Sequence, residues 1–215
     1  MKNALIIGAS GQIGKKLTQI MVNNQQNVVA LVRDKSKLSD IKGEHLTIVE
    51  GDLKKDFSHA FNQSENKQCD TVVFVAGSGG STGADQTLLI DLWAACRAVD
   101  YAKANNVKHF VMISSIGADK PEKGSEQMQP YLVAKHMADE HLINSGLLYS
   151  IIRPGSLTDF DPSSKFTSER PAQKDQATIT RGDVAKALLF CVNNPPTDNT
   201  IVELFNGEEP IEEVL

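Results

Sequence analysis

What this chain has little of narrows its function before any motif is read. Lys and Arg number 22 against 27 Asp and Glu, for a net charge of −5, and the basic residues do not gather into runs. No cationic field exists to hold a phosphate backbone by displacing its counterions, so nucleic acid is not an expected partner. Cysteine is scarce: Cys69, Cys96 and Cys191 are odd in number and far apart, and form neither a disulfide framework nor a CxxC pair. They read as reduced thiols of a cytoplasmic protein. No apolar run approaches the ~20 residues of a membrane span, so no membrane partner is expected. The opening stretch Ala4-Leu5-Ile6-Ile7 stops at Gly8, too short for the core of a signal peptide. His45, His59, His109, His136 and His141 have no spacing with Asp, Glu or Cys that suits a metal, and none is expected.

What is present is a rhythm. The 215 residues are 40% hydrophobic, enough to fill one core, and the expectation is a single domain over 1–215 with a short substrate-side loop region around residues 156–180. Short β-branched or apolar runs at 4–7, 28–32, 46–49, 71–76, 109–114 and 150–152 alternate with longer stretches of helical period at 12–24, 85–105 and 131–144. In the first of these, Ile13, Leu17, Ile20 and Met21 share a face that should pack on a sheet. The tail continues with a helix opened by Thr180-Arg181-Gly182-Asp183 and a strand near 201–204. The fold class this predicts is α/β: a Rossmann-type, doubly wound, mostly parallel sheet with helices on both faces and right-handed crossovers.

Two stretches interrupt the rhythm, and both follow carboxyl ends of strands, where open α/β sheets bind ligands. Gly77-Ser78-Gly79-Gly80-Ser81-Thr82-Gly83 is either a connector or a place where backbone approaches a cofactor. Residues 158–177 are polar, with Phe160 and Phe166 their aromatics, and read either as a substrate flap or as a disordered loop.

The clearest motif is Gly8-Ala9-Ser10-Gly11-Gln12-Ile13-Gly14, set between the first strand and the first helix. In that context Gly8 permits the tight turn, Gly11 leaves room for a pyrophosphate, and Gly14 lets the helix lie close to the sheet. Amides around Ser10, Gln12 and Ile13, at the positive end of the helix dipole, would hold the phosphates. The alternative is a glycine turn without a ligand. After the second strand comes Arg33, whose guanidinium suits the 2′-phosphate of NADP, with Lys35 and Lys37 close behind. Asp34 beside it would favour NAD if its carboxylate met the ribose. The cofactor expected is therefore NADP, with NAD possible.

The GxxGxxG spacing resembles the short-chain dehydrogenase/reductase superfamily, and within it the atypical, epimerase-related small NAD(P)H-binding proteins. The likeness runs over nearly the whole chain. It implies that Asp52 and Leu53 meet the adenine and that Ala76 and Gly77 form a cofactor-facing turn. Asp52 as a mere cap for a helix starting near Lys54 is the competing account. Tyr131-Leu132-Val133-Ala134-Lys135 matches the family's YxxxK, and residues four apart share a helix face. The resemblance implies that Tyr131 moves the proton. A nearby positive charge would pull its phenol down from ~10 toward the working range, while Lys135 also holds the nicotinamide ribose. Ser115, or failing it Ser114, would polarise the substrate oxygen, and Pro154-Gly155 would bring backbone to the nicotinamide. Asp91 reads as a solvated helix carboxylate, with a site-steadying role as the alternative. Trp93 reads as core or an interface anchor.

The function these features imply is NADP(H)-dependent hydride transfer between nicotinamide and a small carbonyl or quinone-like substrate, with Ser115, Tyr131 and Lys135 as the catalytic group. Two alternatives stay open. One is a dinucleotide-binding redox sensor without turnover. The other is a cofactor-retaining epimerase or dehydratase, weakened by the roughly sixty residues after Gly155, which leave little room for a nucleotide-sugar domain. The substrate's identity and the oligomeric state are not encoded in these patterns.

Overall fold

The computed structural model describes residues 3–62, 69–80, 82–173 and 175–215. Ser81 of the glycine-rich run and Lys174 of the polar stretch lie outside the described residues. Seven strands form the parallel part of the main sheet: β1 (Asn3–Ile7), β2 (Asn27–Val32), β3 (Leu46–Glu50), β4 (Thr71–Phe74), β5 (His109–Ile113), β6 (Tyr149–Pro154) and, late in the chain, β10 (Thr200–Asn206). A short strand β8 (Phe166–Thr167) closes one edge antiparallel to β10, giving the order β3-β2-β1-β4-β5-β6-β10-β8.

Alternation along each central strand sorts its side chains onto two faces, because successive residues of a strand point in opposite directions. Ala4 and Ile6 of β1 join Val73 of β4, Val111 of β5 and Ile152 of β6 in one core layer, with Leu17 and Met21 of α1 (Gln12–Asn23) and Val184 and Leu188 of α5 (Arg181–Asn193). Leu5 and Ile7 join Val72, Phe74, Phe110, Met112 and Ile151 in the other, covered by α3 (Ala95–Ala104) and α4 (Gln129–Ile143). Strands buried on both faces read as near-continuous apolar runs, as these do. The chain builds outward from β1 to β3, then crosses back to β4. The crevice between the exits of β1 and β4 is therefore the point where the winding reverses, the usual ligand position in such sheets. No helix among the described residues is long and apolar enough to cross a membrane.

The structure departs from the sequence expectations in three places. First, the helix expected over 85–105 is not uniform: a short α2 (Ala84–Gln86) leads into a π-wound segment, Thr87–Ala94, before α3. The wider winding buries Thr87, Asp91 and Ala94 and leaves Trp93 54% exposed, so Trp93 is not a core residue. Second, no helix begins near Lys54; Asp52 Oδ1 accepts from the Lys54 amide at 3.0 Å and closes a turn. Third, the described part of 158–177 is built into the fold. β7 (Ser156–Thr158) pairs with β9 (Thr178–Thr180), and Phe166 is packed in the core instead of facing a substrate. Asp183, fully buried at the start of α5, holds this region by accepting from the amides of Ser163 and Ser164 at 3.0 and 2.8 Å and from Asn206 Nδ2 at 2.7 Å.

Candidate active site

The turn after β1 is shaped by contacts that a side chain would destroy. Gly8 has φ +92° and a Cβ on it would lie 2.7 Å from the backbone of Ala76, so the exits of β1 and β4 close against each other only because this residue is glycine. A Cβ on Gly14 would sit 2.3 Å from the Gly8 carbonyl, which fixes how near α1 comes to the turn. Gly11 differs: a Cβ there meets only the Gly8 carbonyl at 3.3 Å, so the space beyond it is open. The N-terminus of α1 carries no side-chain cap and no acidic residue in its first turn. Its free amides thus face a cavity of about 320 Å³ lined by Ser10, Gly11, Gln12, Lys15, Lys16 and Asp159. Exposed amides at a helix N-terminus over bare glycine backbone suit the pyrophosphate of a dinucleotide. Asp159, in the same lining, pairs through Oδ1 with Arg181 Nη1 at 3.0 Å, which offsets its negative charge there.

At the exit of β2 Arg33 is exposed, and no ion pair engages it among the described residues. Asp34 is occupied: its Oδ1 accepts from the Ser36 amide at 2.9 Å and caps the short 3-10 turn Lys35–Leu38. Beyond β3, Asp52 is half-buried and Leu53 is part of the core, so only the backbone of Leu53 is available to a ligand. Ala76 packs at the crevice, and Gly77 lies against Asp91, whose Oδ1 would stand 3.1 Å from an added Cβ.

Asp91 is not a solvated carboxylate. It is 2% exposed and accepts from the Ser78 amide at 3.0 Å, which ties the π segment to the glycine-rich run after β4. Across from it α4 presents Tyr131, Lys135 and Asp139 at successive four-residue steps, one face of one helix. Lys135 is 2% exposed and its Nζ donates to the Ile113 carbonyl at 2.5 Å. Burial pushes its ammonium down, and the carboxylates of Asp91 and Asp139 push back. Asp139 is fully buried; its Oδ2 accepts from Ser114 Oγ at 2.8 Å and from Arg153 Nε and Nη2 at 3.1 and 3.0 Å. Burial still raises this carboxyl, against the pull of its partners. Ser114 is thus consumed by the core network, whereas half-buried Ser115 donates from Oγ to the Ile116 carbonyl at 3.2 Å and lines an open cleft.

Ser115 hydrogen-bonds Tyr131, and that bond lowers the phenol. The stronger influences act the other way. Burial, then the negative charge of Asp91, push Tyr131 up to about 12. Lys135 is not among the groups that lower the phenol in the protein alone; burial first, then Asp91 and Asp139, hold it up, and the expected downward pull would have to come with the charge of an oxidised nicotinamide.

Beside Ser115 opens a larger cleft of about 790 Å³, walled by the loop after β5, by Pro154, Gly155 and Ser156 after β6, and by Arg170 and Glu203. Tyr131 is not in its wall; Ser115 is the link between the two. Gly155 is required by packing alone, since a Cβ would lie 2.5 Å from the Ala177 carbonyl and 2.7 Å from the Phe205 ring. Asp139 and Arg153 were missed by the motif reading. The same i, i+4 step that joins Tyr131 to Lys135 leads to Asp139, while its partner on β6 is visible only in three dimensions.

A dinucleotide cradle at the winding reversal, with a serine, tyrosine and lysine set beside it, defines a Rossmann-type nucleotide-binding protein. The chain belongs to the NAD(P)H-binding family, whose model matches residues 8–195. It is 38% identical to an uncharacterised sugar epimerase, YhfK, of Bacillus subtilis, over 98% of this chain and 97% of that one. Among solved structures it superposes on a putative NAD-dependent epimerase/dehydratase from Bacillus halodurans with a TM-score of 0.89 at 37% identity, covering 99% and 98% of the two chains. The oxidoreductase ylbE from Lactococcus lactis gives a TM-score of 0.83 at 27% identity, over 99% and 94%.

Proposed function

We propose that this chain is an NADP(H)-dependent oxidoreductase that reduces a small carbonyl or quinone-like substrate. The observation that carries the proposal is that Tyr131 and Lys135 share one face of α4, with Tyr131 beside Ser115, a residue that lines the open cleft. The reduced nicotinamide, when bound, supplies the hydride to the carbonyl carbon. As the C–O π pair collects on the oxygen, Tyr131 Oη gives that oxygen its proton, and solvent then reprotonates the phenolate. Ser115, whose Oγ donates to the Ile116 carbonyl at 3.2 Å in the protein alone, turns to donate to the same oxygen. Lys135 spends one donor on Ile113 and keeps two for the ribose hydroxyls. A phenol pushed up to about 12 keeps its proton at neutral pH and so has one to give as charge develops on the substrate oxygen. Arg33 supports NADP over NAD because Asp34, the residue that would favour NAD, is turned to Ser36.

The names of the relatives favour a second account, in which the cofactor stays bound and a sugar is oxidised and re-reduced in place. Purified protein separates the two. Steady oxidation of added NADPH with a panel of aldehydes and quinones supports the reductase. Cofactor that co-purifies, with no net NADPH consumption, supports the epimerase. Reversible NADPH binding without any turnover contradicts both and leaves a sensor.

A further inference from the structure

The wall of the 790 Å³ cleft is chemically divided. One part is apolar, from Ile116, Met128, Leu132 and Pro154; the other carries Lys120, Lys123 and Arg170 against only two carboxylates, Asp119 and Glu203. Both carboxylates are already engaged. Lys120 Nζ lies 3.8 Å from Asp119 Oδ2, and Arg170 pairs with Glu203 through Nε at 2.9 Å and through Nη2. Glu203 takes two donors of Arg170, so its remaining guanidinium N–H groups are free for a ligand. Lys123 has no ion-pair partner among the described residues. Glu122 and Glu126, on the same loop, are not in the wall. In a chain of net charge −5, a pocket with surplus positive charge runs against the overall field.

We propose that this cleft takes an amphipathic organic anion: a substrate whose apolar body lies on Ile116, Met128 and Leu132 and whose carboxylate meets Lys120, Lys123 and Arg170. The carbonyl of such a molecule would reach Ser115, the one residue shared by the cleft and the Tyr131 hydrogen bond. The chemistry at Ser115 rests on the hydride-transfer proposal; binding of the anion does not.

The test uses two fluorescent probes of similar shape, the anion anilinonaphthalene sulfonate and the uncharged phenylnaphthylamine, titrated with saturating NADP so that neither occupies the dinucleotide site. The wild-type protein should bind the sulfonate about tenfold more tightly, and Lys120→Met/Lys123→Met should remove most of that preference while leaving the uncharged probe unchanged. Lys103→Met, on the exposed side of α3, should change neither. Equal affinity for the two probes, or a preference that survives the double substitution or falls equally with Lys103→Met, overturns the proposal. The chemical arm compares NADPH-dependent turnover of para-carboxybenzaldehyde and para-methylbenzaldehyde, with the carboxylate preferred in wild type and not in the double variant. Charge-selective probe binding with neither aldehyde reduced upholds the anion site and counts against the reductase. Reduction of both aldehydes without preference, and probes bound alike, upholds the reductase and overturns the anion site.

Discussion

Arg33 and Tyr131 carry the most testable residue-level consequences. In the proposed NADP preference the exposed guanidinium at the exit of β2 pairs with a 2′-phosphate, a group NADH lacks. Arg33→Ala should weaken NADPH binding by roughly ten- to a hundred-fold and leave NADH almost unchanged, as titration of both cofactors will report. Equal losses for the two would remove Arg33 from cofactor choice. Tyr131 makes a claim about pH. With its phenol pushed up to about 12, rising pH takes the proton away only far above neutrality. The kcat/KM for NADPH-dependent reduction should stay flat from about pH 6 to about pH 9, and a decline with a midpoint near neutrality would show that the phenolate forms too early for this role.

At the scale of elements, the region between β6 and α5 depends on one carboxylate. Asp183 is fully buried and Thr180 Oγ1 donates to it at 3.0 Å, beside its bonds to Ser163, Ser164 and Asn206. Asp183→Ala strands these donors and should cost about 3 kcal/mol in denaturant unfolding, with Asp183→Asn recovering part of it. A loss below about 0.5 kcal/mol would mean that water replaces the carboxylate without penalty. How much of this was legible in sequence follows from how local each cause is. Strands with apolar residues on both faces and the turn at Gly8, Gly11 and Gly14 announce themselves within a few residues. The dependence of 163–166 on Asp183 and Asn206 joins positions some twenty and forty residues apart, so composition alone showed only a polar stretch. Asp91 looked solvated because a regular helix was assumed; the π-wound turns from Thr87 to Ala94 re-aim it at Ser78 and Lys135, and no spacing rule signals that winding. Tyr131 and Lys135 were found by a four-residue step, but the sign of their electrostatics depends on Asp91 and Asp139, which come from different turns of the packing.

For the whole molecule, the strands and the loops after them form two different environments. The amides of α1 and the crevice between β1 and β4 suit the dinucleotide, and the loop after β5 with the edge near β10 encloses the cleft. Ser115 lines that cleft, and the proposed reaction needs Tyr131 and Lys135, on the adjoining face of α4, to join it to the dinucleotide, as hydride transfer between separately bound partners requires. The most direct test is single-turnover oxidation of bound NADPH by an accepted carbonyl substrate in wild type and in Tyr131→Phe, with NADPH affinity measured in both. Equal affinity and a rate at least about a hundredfold slower in the variant is the predicted result; equal rates would contradict the assignment of the proton to Tyr131 and with it the proposed reaction.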